Sequence, residues 1–184
     1  MAQTRTLLVL GDSLTAGFGL PADKSFPAQL EAFWRAQGLA VKVINAGVSG
    51  DTSAGGLARL DWALGARPDA AIVELGANDA LRGVEPAAME ANLDAILARM
   101  KARGIKILLA GMRAPPNLGR DYGRDFEAVF PRLAARHGAL LYPFFLEGVA
   151  GEPRLNLPDG MHPTAEGVSE IVRRVAPVAK ALLE

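Results

Sequence analysis

The chain has 184 residues, 20 Lys plus Arg against 20 Asp plus Glu, a formal net charge of zero and 50% apolar residues. That length suits one domain with a sizeable core and is short for two, and a balanced charge offers no basic field to hold a polyanion, which sets nucleic acid aside as a partner. There is no cysteine, so disulfides, cysteine-based metal sites and a cysteine nucleophile are excluded.

Residues 1–10 carry one Arg and a five-residue apolar run, Thr6-Leu7-Leu8-Val9-Leu10. The run is too short for the apolar segment of a signal peptide. The expected location is periplasmic or secreted if a leader has been removed, and cytoplasmic otherwise. No stretch approaches the roughly 18 apolar residues of a membrane span, so no stable membrane insertion is expected. The same run reads as a buried strand, and the chain then turns through Gly11-Asp12-Ser13-Leu14.

A helix is predicted over 25–37, where Phe26, Leu30, Phe33 and Trp34 recur at helical spacing, and Gly38 ends it. Residues 41–45 read as a second strand, followed by a loop of small and capping residues from Ala46 to Ser53. A helix over 53–64 carries Leu57, Leu60 and Leu64 on one face, closed by Gly65 and Pro68. The third strand covers 69–75 and runs into Gly76-Ala77-Asn78-Asp79. Pro86 opens a helix that continues to Arg103. A fourth strand spans 105–109, and a long loop follows from Ala110 to Asp121. Phe126, Phe130, Leu133 and Ala134 mark a helix ended by Gly138, and 139–142 is a short fifth strand. After an irregular region to Gly160, Pro163 starts the last helix.

Strand and helix thus alternate five times, and the strands are apolar runs rather than alternating ones. That pattern predicts an α/β fold with a parallel sheet covered on both faces, in one domain over residues 1–184. The residues give five strands without giving their order in the sheet.

In an open parallel sheet the C-terminal ends of the strands share one rim, where such sheets bind ligands. Ser13 follows the first strand, Gly50 and Asp51 the second, Asn78 and Asp79 the third, Arg113 the fourth, and Asp159 and His162 the fifth. Taken singly these are ordinary turn and cap residues. Together they offer acyl transfer. A serine hydroxyl needs a base, and an imidazole titrates in the right range. His137, at a helix C-terminus, is expected to be structural. His162 lies three residues after Asp159, across a glycine turn, so that carboxylate can hold one ring nitrogen and leave the other to face Ser13. The oxyanion that forms needs donors; the Ser13 and Gly50 N–H groups and the Asn78 amide are available, although Gly50-Asp51-Thr52-Ser53 also reads as a helix start and Asn78-Asp79 as a turn. Glu74 interrupts an apolar strand. A buried carboxylate there needs a partner, either as a plain core group or in support of the neighbouring loop.

Four ordered blocks, Leu10-Gly11-Asp12-Ser13-Leu14-Thr15-Ala16-Gly17, Asn45-Ala46-Gly47-Val48-Ser49-Gly50-Asp51-Thr52, Glu74-Leu75-Gly76-Ala77-Asn78-Asp79 and Asp159-Gly160-Met161-His162-Pro163, span the chain. In these the chain resembles the SGNH hydrolases, or GDSL esterases and lipases, and within them the bacterial acyl-CoA thioesterase I/lysophospholipase L1 and arylesterase branch. Ala77 stands where the family often has glycine. The resemblance implies a three-layer α/β/α, flavodoxin-like sheet of five parallel strands in the order 2-1-3-4-5. It implies Ser13 as nucleophile, His162 as base, Asp159 as its orienting acid, and Ser13, Gly50 and Asn78 as the oxyanion hole. Asp12 is expected to brace the nucleophile turn. The substrate-binding set is expected among Asp12, Asp51, Asp79, Met112, Arg113, Pro115, Phe144, Phe145 and Met161. Phe144 and Phe145 read equally well as core, and Arg113 as a surface ion-pair partner or as a contact for a charged leaving group. No metal and no organic cofactor is implied, and the partner is a small-molecule ester or thioester.

Three alternatives stand beside this. A dinucleotide- or phosphate-binding protein lacks its signature here, because no G-x-G-x-x-G follows the first strand and no G-K-[ST] occurs. The others are a non-enzymatic binding module and a carbohydrate O-acetylesterase. The apolar residues of the expected lining favour acyl or aryl groups over sugars.

Overall fold

A computed structural model describes residues 4–184. Five strands, β1 (Arg5–Gly11), β2 (Val41–Gly47), β3 (Ala70–Glu74), β4 (Lys106–Ala110) and β5 (Leu140–Tyr142), form one sheet in the order β2-β1-β3-β4-β5. Every pairing is parallel. β1 lies inside the sheet between β2 and β3, and Leu7, Leu8, Val9 and Leu10 are wholly buried. This is why its residues are apolar without alternation. Each such side chain contributes about 1.5–3 kcal/mol on leaving water.

The helices are α1 (Ser13–Ala16), α2 (Phe26–Ala36), α3 (Ser53–Ala58), α4 (Leu60–Leu64), α5 (Ala77–Leu81), α6 (Pro86–Ala102), α7 (Arg120–His137) and α8 (Ala165–Ala179). The chain moves one way across the sheet from β1 to β2 and the other way from β2 through β3 and β4 to β5. Right-handed crossovers therefore place α2 on one face and the later connections on the other. α2 packs on α8, and α6 packs on both α3 and α7. The reversal puts a crevice outside the C-terminal ends of β1 and β3. The segments after those two strands carry Ser13 and Asn78.

The structure differs from expectation at several element ends. The helix expected over 53–64 is broken into α3 and α4 at Arg59. Gly55 and Gly56 weaken that helix, and Gly56 lets it press against Leu75, where an added Cβ would meet the side chain at 2.4 Å. β2 runs on to Gly47 rather than stopping at 45, and α1 sits directly on its end: a Cβ on Gly47 would lie 2.3 Å from the Ala16 nitrogen. The Gly76–Asp79 turn is the start of the short helix α5. The last helix begins at Ala165, because the Thr164 side chain caps it by accepting from the Gly167 N–H, while Pro163 bridges to Asn156. Among the described residues no helix is long and apolar enough to cross a membrane.

Candidate active site

β1 ends at Gly11, and Asp12 caps the four-residue helix α1 by accepting the Leu14 N–H at 2.9 Å. Ser13 is thereby lifted into the first turn with its hydroxyl facing the crevice. Gly11 cannot carry a side chain, since a Cβ would fall 2.0 Å from Thr15 Oγ1 and 2.6 Å from Glu74 Oε2.

Ser13 Oγ lies 2.9 Å from His162 Nε2, although 149 residues separate them. His162 Nδ1 lies 2.6 Å from Asp159 Oδ2. The other carboxylate oxygen, Oδ1, accepts the backbone N–H groups of His162 at 3.0 Å and Met161 at 2.9 Å. Those backbone donors, with the imidazole, hold the Asp159 carboxyl down to about 2. With Asp159 an anion, the imidazole proton belongs on Nδ1, and Nε2 accepts from the serine hydroxyl. The turn that makes this possible passes through Gly160 at φ +68°, and the Leu157 N–H closes it onto the His162 carbonyl at 2.7 Å. The Phe18 ring rests against the imidazole, with centroids 4.3 Å apart.

Gly50 adopts φ +84°, a conformation that disfavours any side chain. Its carbonyl accepts from Arg82 Nη2 at 2.9 Å. Neither the Gly50 nor the Ser13 N–H donates to a group among the described residues. Asn78 Nδ2 donates to Asp12 Oδ2 at 3.1 Å and to the Asp51 carbonyl at 2.9 Å. Both amide hydrogens are therefore engaged, and a developing oxyanion must draw one of them away from Asp12 or Asp51. Asp12 itself is buried, and burial pushes its carboxyl up to about 6 against the pull of the Leu14 N–H and its other partners.

A cleft of about 580 Å³ opens over Ser13 and His162. Of the residues proposed for substrate binding, Asp12, Met112, Arg113, Pro115, Phe144 and Met161 line it. Arg113 lies over the Phe144 ring, 4.4 Å from its centroid, and forms no ion pair with a described residue.

Three expected lining residues do not reach the cleft. Asp79 is buried and turned toward α3, accepting Ser53 N–H at 2.8 Å and Ser53 Oγ at 2.6 Å. Asp51 is turned toward Arg59, its Oδ2 at 2.5 Å from Nε. Phe145 is wholly buried, edge-on to Phe26 with centroids 5.0 Å apart. In each case the side chain has a better-matched partner behind the rim: a helix N-terminus, a guanidinium or the core. His137 is structural, as expected, with Nε2 at 2.7 Å from Asp94 Oδ1.

Sequence reasoning missed Arg59, Phe18 and Leu81. Arg59 joins the first two blocks: beyond Asp51, its Nη1 donates to the Ala46 carbonyl at 2.8 Å and its Nη2 to the Gly11 carbonyl at 2.9 Å. Its only signal was a charge beside the Leu57 and Leu60 face. Phe18, Leu81 and Leu146 all line the cleft, and Phe18 and Leu81 are exposed. A phenylalanine between two glycines, Gly17 and Gly19, has no core to enter, and that was legible.

The GDSL-like lipase/acylhydrolase family matches residues 9–169. Esterase TesA of Pseudomonas aeruginosa is 42% identical over 183 residues, 99% of this chain and 91% of that protein. Thioesterase 1/protease 1/lysophospholipase L1 of Escherichia coli K12 is 43% identical over 166 residues, 90% of this chain and 78% of that protein. Among solved structures, that of AlinE4, an SGNH-hydrolase family esterase, superposes with a TM-score of 0.83 at 51% identity, covering 99% of this chain and 98% of that one.

Proposed function

The chain belongs to the GDSL-like lipase/acylhydrolase family, and from that premise we propose that it is a serine hydrolase of carboxylic esters or thioesters, working as one domain through an acyl-enzyme on Ser13. The observation that carries the proposal is the unbroken relay of Ser13, His162 and Asp159, with contacts of 2.9 and 2.6 Å, opening onto an apolar cleft.

Ser13 Oγ attacks the carbonyl carbon as its proton passes to His162 Nε2. Asp159 stabilises the imidazolium that results and is not itself protonated. The carbonyl oxygen becomes an oxyanion beside the Ser13 and Gly50 N–H groups, and the Asn78 amide turns to it from Asp12. The tetrahedral carbon then expels the alcohol or thiol, which takes the proton from His162. A water molecule, deprotonated by the same nitrogen, repeats the sequence on the acyl-enzyme and releases the acid. Asn78→Ala is expected to lower kcat by about 100- to 1,000-fold with little change in KM, because the bond is made in the transition state. Steady-state kinetics on one p-nitrophenyl ester reads both constants.

Relatives named esterase and thioesterase support both leaving groups. The aromatic and aliphatic lining favours an acyl or aryl group, and the unpaired Arg113 guanidinium at the mouth suits an anionic leaving group. A rate panel decides the class: p-nitrophenyl esters from acetate to palmitate, an acyl-CoA and an acetylated sugar. Hydrolysis of the hydrophobic esters or the thioester well above the sugar is expected. Preference for the sugar would replace the proposal with a carbohydrate O-acetylesterase.

A further inference from the structure

Beneath the nucleophile turn lie two carboxyl groups that form no ion pair with Lys or Arg among the described residues. Asp12 is 1% exposed and Glu74 wholly buried. Glu74 Oε2 accepts from Thr15 Oγ1 at 2.8 Å and from the Asp12 N–H at 3.3 Å. Glu74 Oε1 is buried and has no hydrogen-bond partner. The charged groups that face the pair are few. His162 approaches Asp12 from the cleft. Arg59, at the Gly11 carbonyl, is neutralised by Asp51. Two adjacent anions in such a place are far costlier than one.

We propose that Glu74 and Asp12 hold one proton between them at neutral pH: Glu74 is a neutral carboxylic acid whose Oε1–H donates to the Asp12 carboxylate, and Asp12 carries the single charge. This assignment satisfies every atom. The orphaned Oε1 becomes a donor, and Oε2, as the carbonyl oxygen, keeps its two incoming bonds. Asp12 is the better anion because Leu14 N–H and Asn78 Nδ2 already donate to it. Burial first, and the Asp12 charge second, push the Glu74 carboxyl well above the ordinary range. A carboxylic acid held neutral so that it can donate a hydrogen bond is established chemistry in enzyme interiors.

Glu74 is thus a positioning residue. When Asn78 leaves Asp12 for the oxyanion, the Glu74 O–H continues to satisfy Asp12. Ionised, Glu74 would instead place a second negative charge beneath the developing oxyanion. This role rests on the hydrolase proposal; the shared proton does not.

Two measurements test the proton. In infrared spectra at pH 7 in D₂O, wild type is expected to show the C=O stretch of a protonated carboxyl, retained in Ser13→Ala and lost in Glu74→Gln. No such band in wild type overturns the assignment, whether or not any variant folds. The second is stability. Glu74 keeps its proton in the native state and loses it on unfolding, where its ordinary value is 4.5. Wild-type stability therefore falls as pH rises, while glutamine has nothing to titrate. The unfolding constant of wild type relative to Glu74→Gln is expected to grow with pH, by up to about tenfold per unit, from about one unit above 4.5 through neutrality. Parallel curves overturn the proposal. The positioning role has its own readout. Glu74→Gln is expected to keep most of kcat, whereas Glu74→Ala, which leaves Thr15, Asp12 and the turn unsupported, loses about 100-fold. Equal loss in both overturns the role and leaves the spectroscopic result to stand or fall separately.

Discussion

Ser13→Ala is expected to lower kcat on a p-nitrophenyl ester by about a million-fold and to abolish labelling by a serine-directed phosphonate, without loss of the fold. The large factor follows from position. Ser13 Oγ is the acceptor of the acyl group, and alanine leaves His162 Nε2 with no hydroxyl to deprotonate. What remains are the N–H groups of residues 13 and 50, the Asn78 amide and the cleft; an oxyanion hole and binding supply about 1,000- to 10,000-fold over water in other serine hydrolases. The fold is spared because the hydroxyl's one side-chain partner is His162, and Asp12 caps α1 regardless. Labelling or turnover that survives the substitution would remove Ser13 from the reaction and, with it, the hydrolase proposal.

Asp159→Asn is expected to lower kcat by about 10,000-fold, while the double variant with Ser13→Ala loses little beyond Ser13→Ala alone. The asparagine carbonyl can still accept from the Met161 and His162 N–H groups, so the turn keeps its shape. Its amide, however, donates to Nδ1, moves the imidazole proton to Nε2 and presents a donor where Ser13 needs an acceptor. The wild-type carboxyl is held at about 2, chiefly by those two backbone N–H groups. Its folded value lies below its unfolded one, so its contribution to stability is complete above about pH 4 and is lost as pH falls toward 2. Acid denaturation of wild type and Asp159→Asn is therefore expected to converge below pH 4. A gap that persists to pH 2 would show that the carboxylate is not held by these bonds.

The family blocks were legible because each is local. Asp159 and His162 are three residues apart across a glycine, and a turn of that length carries its own geometry. Gly50 was readable as a backbone N–H with no side chain in its way, but the need for glycine at positions 11 and 47 was not. Gly47 yields to α1 and Gly11 to Thr15 and Glu74, contacts between segments distant in sequence. The same limit explains the three misplaced lining residues. A carboxylate at a strand end can face the cleft or the helix behind it, and only the arrival of Ser53 and Arg59 turns Asp79 and Asp51 away. Phe144 and Phe145 are adjacent and chemically alike, yet one lines the cleft and the other is edge-on to Phe26.

Composition and periodicity by themselves determined an α/β chain with five strands in a parallel sheet, because burial of the inner strands on both faces leaves a continuous apolar signature. The four blocks, through their resemblance, added the order of those strands and the identity of Ser13, Asp159 and His162 as candidates. Tertiary structure alone decided which polar side chains reach the cleft and which hold the scaffold. It also decided that Glu74, odd as a charge within a strand, lies against Asp12 and forms no ion pair among the described residues. Side-chain partners depend on distances between segments that the order of residues does not encode locally, and the protonation of a buried carboxyl depends on those partners.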